Sequence, residues 1–292
     1  MISENIKNKT IEMLSTYTGE QITHLESQSV GGGDINAACK LKTKTGVYFI
    51  KYNNAVKYPA MFVVEAMGLK LLKEADELFI PEVIGYGEAE NDSFLLMEFI
   101  EQGIRITDFW QDFGNRLAHL HKHTATYFGL DNDNYIGSLH QSNIKHDTWT
   151  AFFINERMLP QIKLARNKGA ISKKLVDTFE NFFKYIDEIF PVENPAMLHG
   201  DLWNGNYMVS PDGTATLIDP AVYYGHREMD IAMTQLFGGF SKEFYESYNE
   251  HYPMQADWRK RMDYCNLYPL MVHVNLFGGG YINSVESIIN KF

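Results

Sequence analysis

The sequence predicts an α+β protein of two lobes, a small antiparallel sheet within residues 1–100 and a larger, mainly helical lobe within residues 101–292. Three observations carry that expectation. Up to Phe99 the apolar residues fall in short alternating runs separated by turn residues, as half-buried strands require. From Asp108 onward they recur at helical spacing instead. A chain of 292 residues is long enough to build two sizeable cores.

Residues Asn5 to Tyr17 read as a short leading helix. Ile22 to Val30 and Ala37 to Leu41 read as strands joined by Gly31-Gly32-Gly33-Asp34. Such a tip lets backbone N–H groups approach a phosphate, although a triple glycine also serves as a plain flexible turn. Val47-Tyr48-Phe49-Ile50-Lys51 is a third strand, ending on a lysine. Pro59 is placed to open a helix at its first position, and the segment to Ala75 carries Met61, Val64, Gly68, Leu71 and Leu72 on one side with Glu65 midway. Pro81 to Glu88 and Ser93 to Phe99 complete the sheet. Met97-Glu98-Phe99-Ile100 then leads into Glu101-Gln102-Gly103, the natural connection between lobes.

Beyond it, Asp108 to His123 has Phe109, Phe113, Leu117 and Leu120 at helical intervals. His119, His121 and His123 near its end suit packing or the helix dipole better than a metal. Trp149 to Asn167 and Leu175 to Phe190 read as two further helices with aromatic core faces. The tail from Glu228 is mainly helical, interrupted near Gly238-Gly239, Pro253 and Gly278-Gly279-Gly280.

The chemistry concentrates in His199-Gly200-Asp201-Leu202-Trp203-Asn204-Gly205-Asn206, followed by Leu217-Ile218-Asp219. This is the spacing of the H-x-D-L-x-x-x-N catalytic loop of protein kinases, with a second acid on the strand that follows. A hydroxyl attacking the terminal phosphate of ATP needs a carboxylate to orient it and take its proton, the role expected of Asp201. Magnesium prefers oxygen ligands and keeps several waters, so the amide oxygen of Asn206 and the carboxylate of Asp219 suffice beside the phosphates. Tyr207-Met208-Val209 and Thr214 to Ile218, around Pro211-Asp212-Gly213, form the hairpin that returns Asp219 to the loop. Upstream, Lys51 stands where kinases keep a lysine for the ATP phosphates. Glu65, the only acid between Pro59 and Lys73, is its expected partner. Gly31, Gly32 and Gly33 would cover the phosphates, and the backbone of Glu98, Phe99 and Ile100 would meet adenine.

Two absences point away from protein substrates. Gly200 replaces the arginine of H-R-D, and Gly225 to Asp230 follows Asp219 too soon for a switchable activation segment. Trp203 also replaces the lysine common in kinases acting on serine or threonine. An indole face suits the C–H face of a sugar, though it can equally pack a loop.

The net charge of −11 argues against nucleic acid or an anionic membrane as partner. Two cysteines without a C-x-x-C pair argue against zinc and against a disulfide framework. The N-terminus has no basic start or apolar run of a leader, and no stretch is long enough to span a bilayer, so a cytoplasmic location is expected.

At these residues the sequence resembles the fructosamine/ketosamine-3-kinase family, itself similar to aminoglycoside and choline phosphotransferases. The likeness spans nearly the whole chain. It includes Gly31 to Asn36, Tyr48 to Lys51, Trp149 to Arg157, Leu198 to Asn206, Asp219 to Glu228 and His273 to Gly278. The resemblance implies a bilobal protein-kinase-like fold and ATP-dependent phosphorylation at O3 of a ketosamine, the adduct formed when a sugar glycates an amine. Loss of the phosphorylated sugar would then free the amine. It also implies Asp201 as base, Asn206 and Asp219 as magnesium ligands, Lys51 with Glu65 at the ATP phosphates, and Trp203 with His273 as sugar contacts. His273 reads alternatively as a hydrogen-bonded core histidine. One departure is Asp34, which stands where many members carry a cysteine and closes any disulfide route there. An aminoglycoside or choline-type phosphotransferase would use the same residues. A catalytically silent nucleotide-binding protein is opposed by the intact Lys51, Asp201, Asn206 and Asp219.

Overall fold

The computed structural model of the protein describes residues 2–31 and 35–291. The chain forms two compact units, Met1–Ile106 with Met208–Ile218, and Thr107–Tyr207 with Asp219–Phe292.

In the first unit, helix α1 (Glu4–Thr18) starts on Ser3, whose hydroxyl accepts the Ile6 amide, and ends on Gly19 at φ 70°. Strands β1 (Glu26–Val30), β2 (Ala37–Thr43) and β3 (Gly46–Asn54) follow, then helix α2 (Met61–Ala75) and strands β4 (Val83–Ala89) and β5 (Asp92–Glu98). The sheet runs in the order β1-β2-β3-β5-β4, antiparallel throughout. Side chains alternate between its faces, so register decides what each one meets. Cys39, Ile50 and Leu96 form one row, and they pack with Ile6 and Leu14 of α1 in a single core. Ala38, Lys51 and Leu95 form the next row and point the other way.

Three expectations shift here. The first strand begins at Glu26 rather than Ile22, because Ile22 and Leu25 are buried against α1 before the chain reaches the sheet. Pro59 does not open α2. The Asn54 carbonyl and side chain first hold a turn through the amides of Tyr58 and Lys57, and the helix starts at Met61 after Ala60 in the left-handed region, φ 57°. The fourth strand begins at Val83, two residues after Pro81, and lies close enough to α1 that a Cβ on Gly85 would be 2.9 Å from the Met13 sulfur.

The second unit opens with α3 (Phe109–Leu120) and a short hairpin, β6 (Asn134–Ile136) with β7 (Leu139–Gln141). The helix expected over Trp149 to Asn167 is α4 (Trp149–Phe152) and α5 (Leu159–Asn167), joined by a π-helical stretch, Phe153–Met158. Pro160 explains the break, since its ring crowds the carbonyl four residues back and the wider π turn relieves that crowding. Helices α6 (Lys173–Phe182) and α7 (Ile186–Ile189) replace the single helix expected over Leu175 to Phe190. Strand β8 (Ala196–Leu198) precedes the hairpin of β9 (Tyr207–Val209) and β10 (Ala215–Leu217), and β11 (Tyr223–Gly225) pairs antiparallel with β8. Helices α8 (Glu228–Leu236), α9 (Lys242–His251), α10 (Trp258–Phe277) and α11 (Tyr281–Ile289) finish the chain. Helix α10 is buried along most of its length and packs on α5, α8 and α11. Helices α3 and α9 approach so closely that a Cβ on Gly114 would lie 2.2 Å from the Phe244 carbonyl oxygen.

The hairpin tip and β10 belong with the first unit through backbone contacts. The Gly103 amide donates to Val209 O at 2.9 Å, Ile106 to Gly213 O at 3.2 Å, and Leu217 to Phe79 O at 3.0 Å.

Candidate active site

The loop between β8 and β9 is fixed from beneath by Asp230, a buried carboxylate in the first turn of α8. One of its oxygens accepts the His199 amide at 2.7 Å and the other the Gly200 amide at 2.9 Å. The His121 Nε2 lies 3.3 Å from the first of these oxygens. His199 is itself buried; its carbonyl accepts the Ala221 amide at 2.9 Å, and its Nδ1 accepts the Asp201 amide at 3.3 Å. Gly200 sits at φ 83°, where a Cβ would lie 2.1 Å from the Ala221 carbonyl oxygen. No side chain fits at that position, so an arginine there is sterically excluded.

From Asp201 the loop turns tightly. The Trp203 amide donates to Asp201 O at 3.1 Å and the Asn206 amide to Trp203 O at 3.0 Å. The Trp203 ring fills the space where a Cβ on Gly205 would stand. Asn206 Nδ2 donates to both Asp201 O and Asp201 Oδ2, each at 2.9 Å. Both partners are acceptors, so the amide must present its nitrogen to them, which turns its carbonyl oxygen away from Asp201. Part of Asp201 reaches the surface, yet its carboxyl is desolvated, and that is the main reason its pKa is pushed up to about 7. The Asn206 hydrogen bond pulls it back down, while the charges of Asp219 and Asp230 raise it further. Asp219 follows β10, exposed, with φ 55° in the left-handed region. A carboxyl that titrates near neutrality can hold or release a proton at working pH. A neutral amide oxygen and a carboxylate are both hard donors, the kind magnesium takes in small number while keeping water. The residues fit such an ion.

In the first unit, Lys51 is buried on the sheet face opposite the α1 core, and its ammonium lies 2.5 Å from Glu65 Oε1 of α2. Gly31 is exposed at the end of β1; Gly32, Gly33 and Asp34 lie outside the described residues. Just beyond them, Asn36 accepts a hydrogen bond from Asn53 Nδ2 at 2.9 Å, and Asn53 in turn accepts from Ser93 at 2.6 Å, tying the loop exit to β3 and β5. Glu98 ends β5 with its amide committed to Glu82 O at 2.9 Å; Phe99 lies beneath the Lys40 ammonium, and Ile100 is buried.

Trp203 and His273 are linked through Phe237, a residue not singled out in the sequence. Phe237 meets Trp203 edge-on at 5.7 Å and His273 at 4.9 Å between ring centroids. His273 Nδ1 donates to Pro269 O at 2.7 Å, which leaves Nε2 as the acceptor, and burial holds its pKa below the usual histidine value. It is thus hydrogen-bonded and at the same time a member of a partly open aromatic row.

Sequence reasoning also missed Asp230, the anchor of the loop. Its signal was present in Met229-Asp230-Ile231-Ala232-Met233, a lone acid inside an apolar helical run, which is where a buried carboxylate with dedicated partners is expected. A second missed set is the buried chain Tyr268 OH to Gln141 Oε1 at 2.6 Å and Gln141 Nε2 to Asn134 Oδ1 at 2.7 Å, whose Asn134 donates to Val222 O at 2.8 Å. It braces the Ala221-Val222 backbone against which Gly200 packs. Asn134 and Gln141 face each other across the β6–β7 hairpin, but Val222 and Tyr268 lie far along the sequence from them, and no spacing rule connects the set.

A five-stranded sheet with a buried lysine–glutamate pair, joined in one chain to a helical unit bearing this loop, is the fold of the kinase-like phosphotransferases. An aminoglycoside phosphotransferase crystallised with AMP-PNP and hygromycin B matches it with a TM-score of 0.64 over 97% of this chain and 98% of its own, at 12% identity, a likeness of fold alone. Within that class the chain belongs to the fructosamine kinase family, whose sequence pattern matches residues 6–292. It is 38% identical over 275 residues, 93% of each chain, to a candidate ketoamine kinase of Vibrio parahaemolyticus. It is 38% identical over 286 residues, 96% of this chain and 86% of the other, to the chloroplastic protein-ribulosamine 3-kinase of Arabidopsis thaliana. The crystal structure of a candidate fructosamine-3-kinase from Thermobifida fusca matches with a TM-score of 0.86 at 31% identity, over 97% of this chain and 98% of that one.

Proposed function

We propose that the protein is an ATP-dependent ketosamine kinase that phosphorylates the O3 hydroxyl of a sugar carried on an amine, as ribulosamine or fructosamine adducts are. Membership of the fructosamine kinase family makes it a phosphotransferase with an alcohol acceptor. The observation that carries the assignment of roles is Asp201, held by Asn206 and poised near pH 7.

In this reading Asp201 Oδ1 or Oδ2 takes the proton of the O3 hydroxyl as that oxygen attacks the γ-phosphorus of ATP. The bond from γ-phosphorus to the β–γ bridging oxygen breaks, and ADP leaves with the electron pair. Lys51, held by Glu65, pairs with the phosphate oxygens, the residues from Gly31 to Gly33 cover them, and Glu98 to Ile100 border the adenine. Asn206 and Asp219 hold magnesium, which when bound neutralises phosphate charge. Trp203 and His273 contact the sugar. Loss of a C1 proton then gives the 1,2-enaminol, phosphate leaves C3 with the electron pair of its C–O bond, and water hydrolyses the resulting C1–N iminium, freeing the amine and a 3-deoxy dicarbonyl sugar, a deglycation. The reading assigns ATP binding to residues 1–100 and the acceptor to residues 101–292. It includes a cytoplasmic location, where ATP is supplied; no helix among the described residues is long and apolar enough to cross a membrane.

The test is ATP- and magnesium-dependent phosphorylation of ribulosamine- and fructosamine-lysine, an aminoglycoside, choline and a generic peptide, by wild type and by Asp201→Asn. Labelling of the ketosamines by wild type alone is expected. Labelling of the aminoglycoside and no ketosamine would overturn the assignment.

A further inference from the structure

The aromatic row that begins at Trp203 continues beyond His273. After Phe237, His273 meets Phe277 at 5.5 Å and Tyr281 at 4.9 Å between centroids. The turn Gly278-Gly279-Gly280, with Gly278 and Gly279 both at φ 65°, closes quickly enough to start α11 at once and set Tyr281 6.4 Å from Phe277. Trp203, Phe237 and Phe277 keep 37%, 39% and 52% of their surface open, so the row is available and not sealed into the core. Its internal contacts are ring to ring, and besides the Trp203 indole N–H and the Tyr281 hydroxyl it offers one nitrogen acceptor, His273 Nε2, left once Nδ1 has donated to Pro269 O.

The substrate's own connectivity says what lies over the far end. In a ketosamine the reacting O3 and the amine nitrogen are separated by C3, C2 and C1, so whatever carries the amine must leave on the side away from the transferred phosphate. Trp203 stands two residues after Asp201, and Phe277 and Tyr281 stand beyond the two intervening rings of Phe237 and His273. Aromatic faces recognise methylene groups and a neighbouring cationic nitrogen.

We propose that Phe277 and Tyr281 form a second subsite for the methylene chain of the amine bearing the sugar, the side chain of a glycated lysine, with His273 Nε2 accepting the hydrogen of the linking nitrogen. This deepens the ketosamine reading and rests on it. The subsite makes the enzyme select for a long apolar carrier, and the selection is expressed in KM because the carrier is bound alike before and during transfer.

The experiment compares kcat/KM for one ketose carried on two amines, the ε-amine of an Nα-acetyl-lysine amide and methylamine. Wild type is expected to favour the lysine adduct by about tenfold, the effect of roughly two methylenes removed from water. Phe277→Ser and Tyr281→Ser should each bring the ratio of the two kcat/KM values towards one by raising KM for the lysine adduct. Phe277→Leu, which restores apolar area, should retain most of it. Turnover of the methylamine adduct by the same variants reports that they fold. Equal wild-type kcat/KM on both adducts, or an equal fall on both in the variants, would overturn the subsite while leaving the ketosamine reading intact. Failure of wild type to phosphorylate either adduct would overturn both.

Discussion

At Asp201 the decisive quantity is a proton. With its pKa raised to about 7, chiefly by desolvation, the group can accept a proton only when ionised, and in the proposed role of base it should make kcat/KM rise with pH through about 7. Bound magnesium and its phosphates alter that local charge, and a net cationic contribution would move the limb in kcat to lower pH than the limb in kcat/KM; the two profiles measured on one enzyme check this. The same shift bears on stability. A carboxyl whose folded pKa lies above its unfolded value stabilises the fold fully below the unfolded pKa, near 4, and that contribution is lost as pH rises through about 7. Asp201→Asn should therefore abolish transfer by a factor on the order of 10²–10⁴ and raise Tm relative to wild type above pH 7, with little change at pH 4. Lys51 offers a second separation of chemistry from stability. Lys51→Met takes the ammonium away from the largely buried Glu65 carboxylate, which costs up to about 3–5 kcal/mol, less whatever solvent and other contacts offset. In Lys51→Met/Glu65→Leu most of that loss should return on denaturant unfolding while phosphoryl transfer stays absent. A double variant regaining activity would remove Lys51 from the phosphate site.

At the scale of elements, the loop bearing Asp201 is held by the start of α8 and by the segment preceding β11. Gly200→Ala places a Cβ 2.1 Å from a backbone oxygen at a positive φ, and should lower stability by at least about 1–3 kcal/mol and activity with it. Asp230→Ala removes the acceptor of the buried His199 amide, about 1–3 kcal/mol, and that of the partly buried Gly200 amide, which costs less, and should reduce kcat more than it raises KM for either substrate. Denaturant midpoints and steady-state kinetics on purified variants decide both. Much of the element order was legible beforehand. The alternation in β2 and β3 and the stripes of α2 and α3 are long enough to declare their period. The pairs β6–β7 and β8–β11 were not legible, because three residues per strand hold barely one alternation. The start of α2 was misplaced for a related reason: Pro59 is compatible with a first helical turn, and only the Asn54 turn contacts decide that the helix waits until Met61. The break between α4 and α5 rests likewise on how the chain accommodates Pro160.

At the scale of the whole molecule, the first unit is not one continuous stretch. Residues 208–218 supply partners for the amides of Gly103 and Ile106 and for the Phe79 carbonyl. A fragment ending at Ile106 should unfold at lower denaturant than the same fragment with residues 208–218 joined by a short flexible linker, and its Gly103 and Ile106 amides should exchange faster. Linear reading had no means of giving the hairpin to the first unit, since its sequence neighbours all belong to the second. Residue type and spacing determined, from the sequence alone, the α+β class, the family likeness, and the pairings of Lys51 with Glu65 and of Asp201 with Asn206, because a loop motif is a local pattern and local patterns survive in one dimension. Only tertiary structure decided why residue 200 has no side chain, that Asp230 anchors the loop, that the Asp201 carboxyl is dry enough to titrate near 7, and that Trp203 continues through Phe237 and His273 to Phe277 and Tyr281. Each of these depends on atoms brought together from distant parts of the chain, and steric exclusion, desolvation and ring contact act through space.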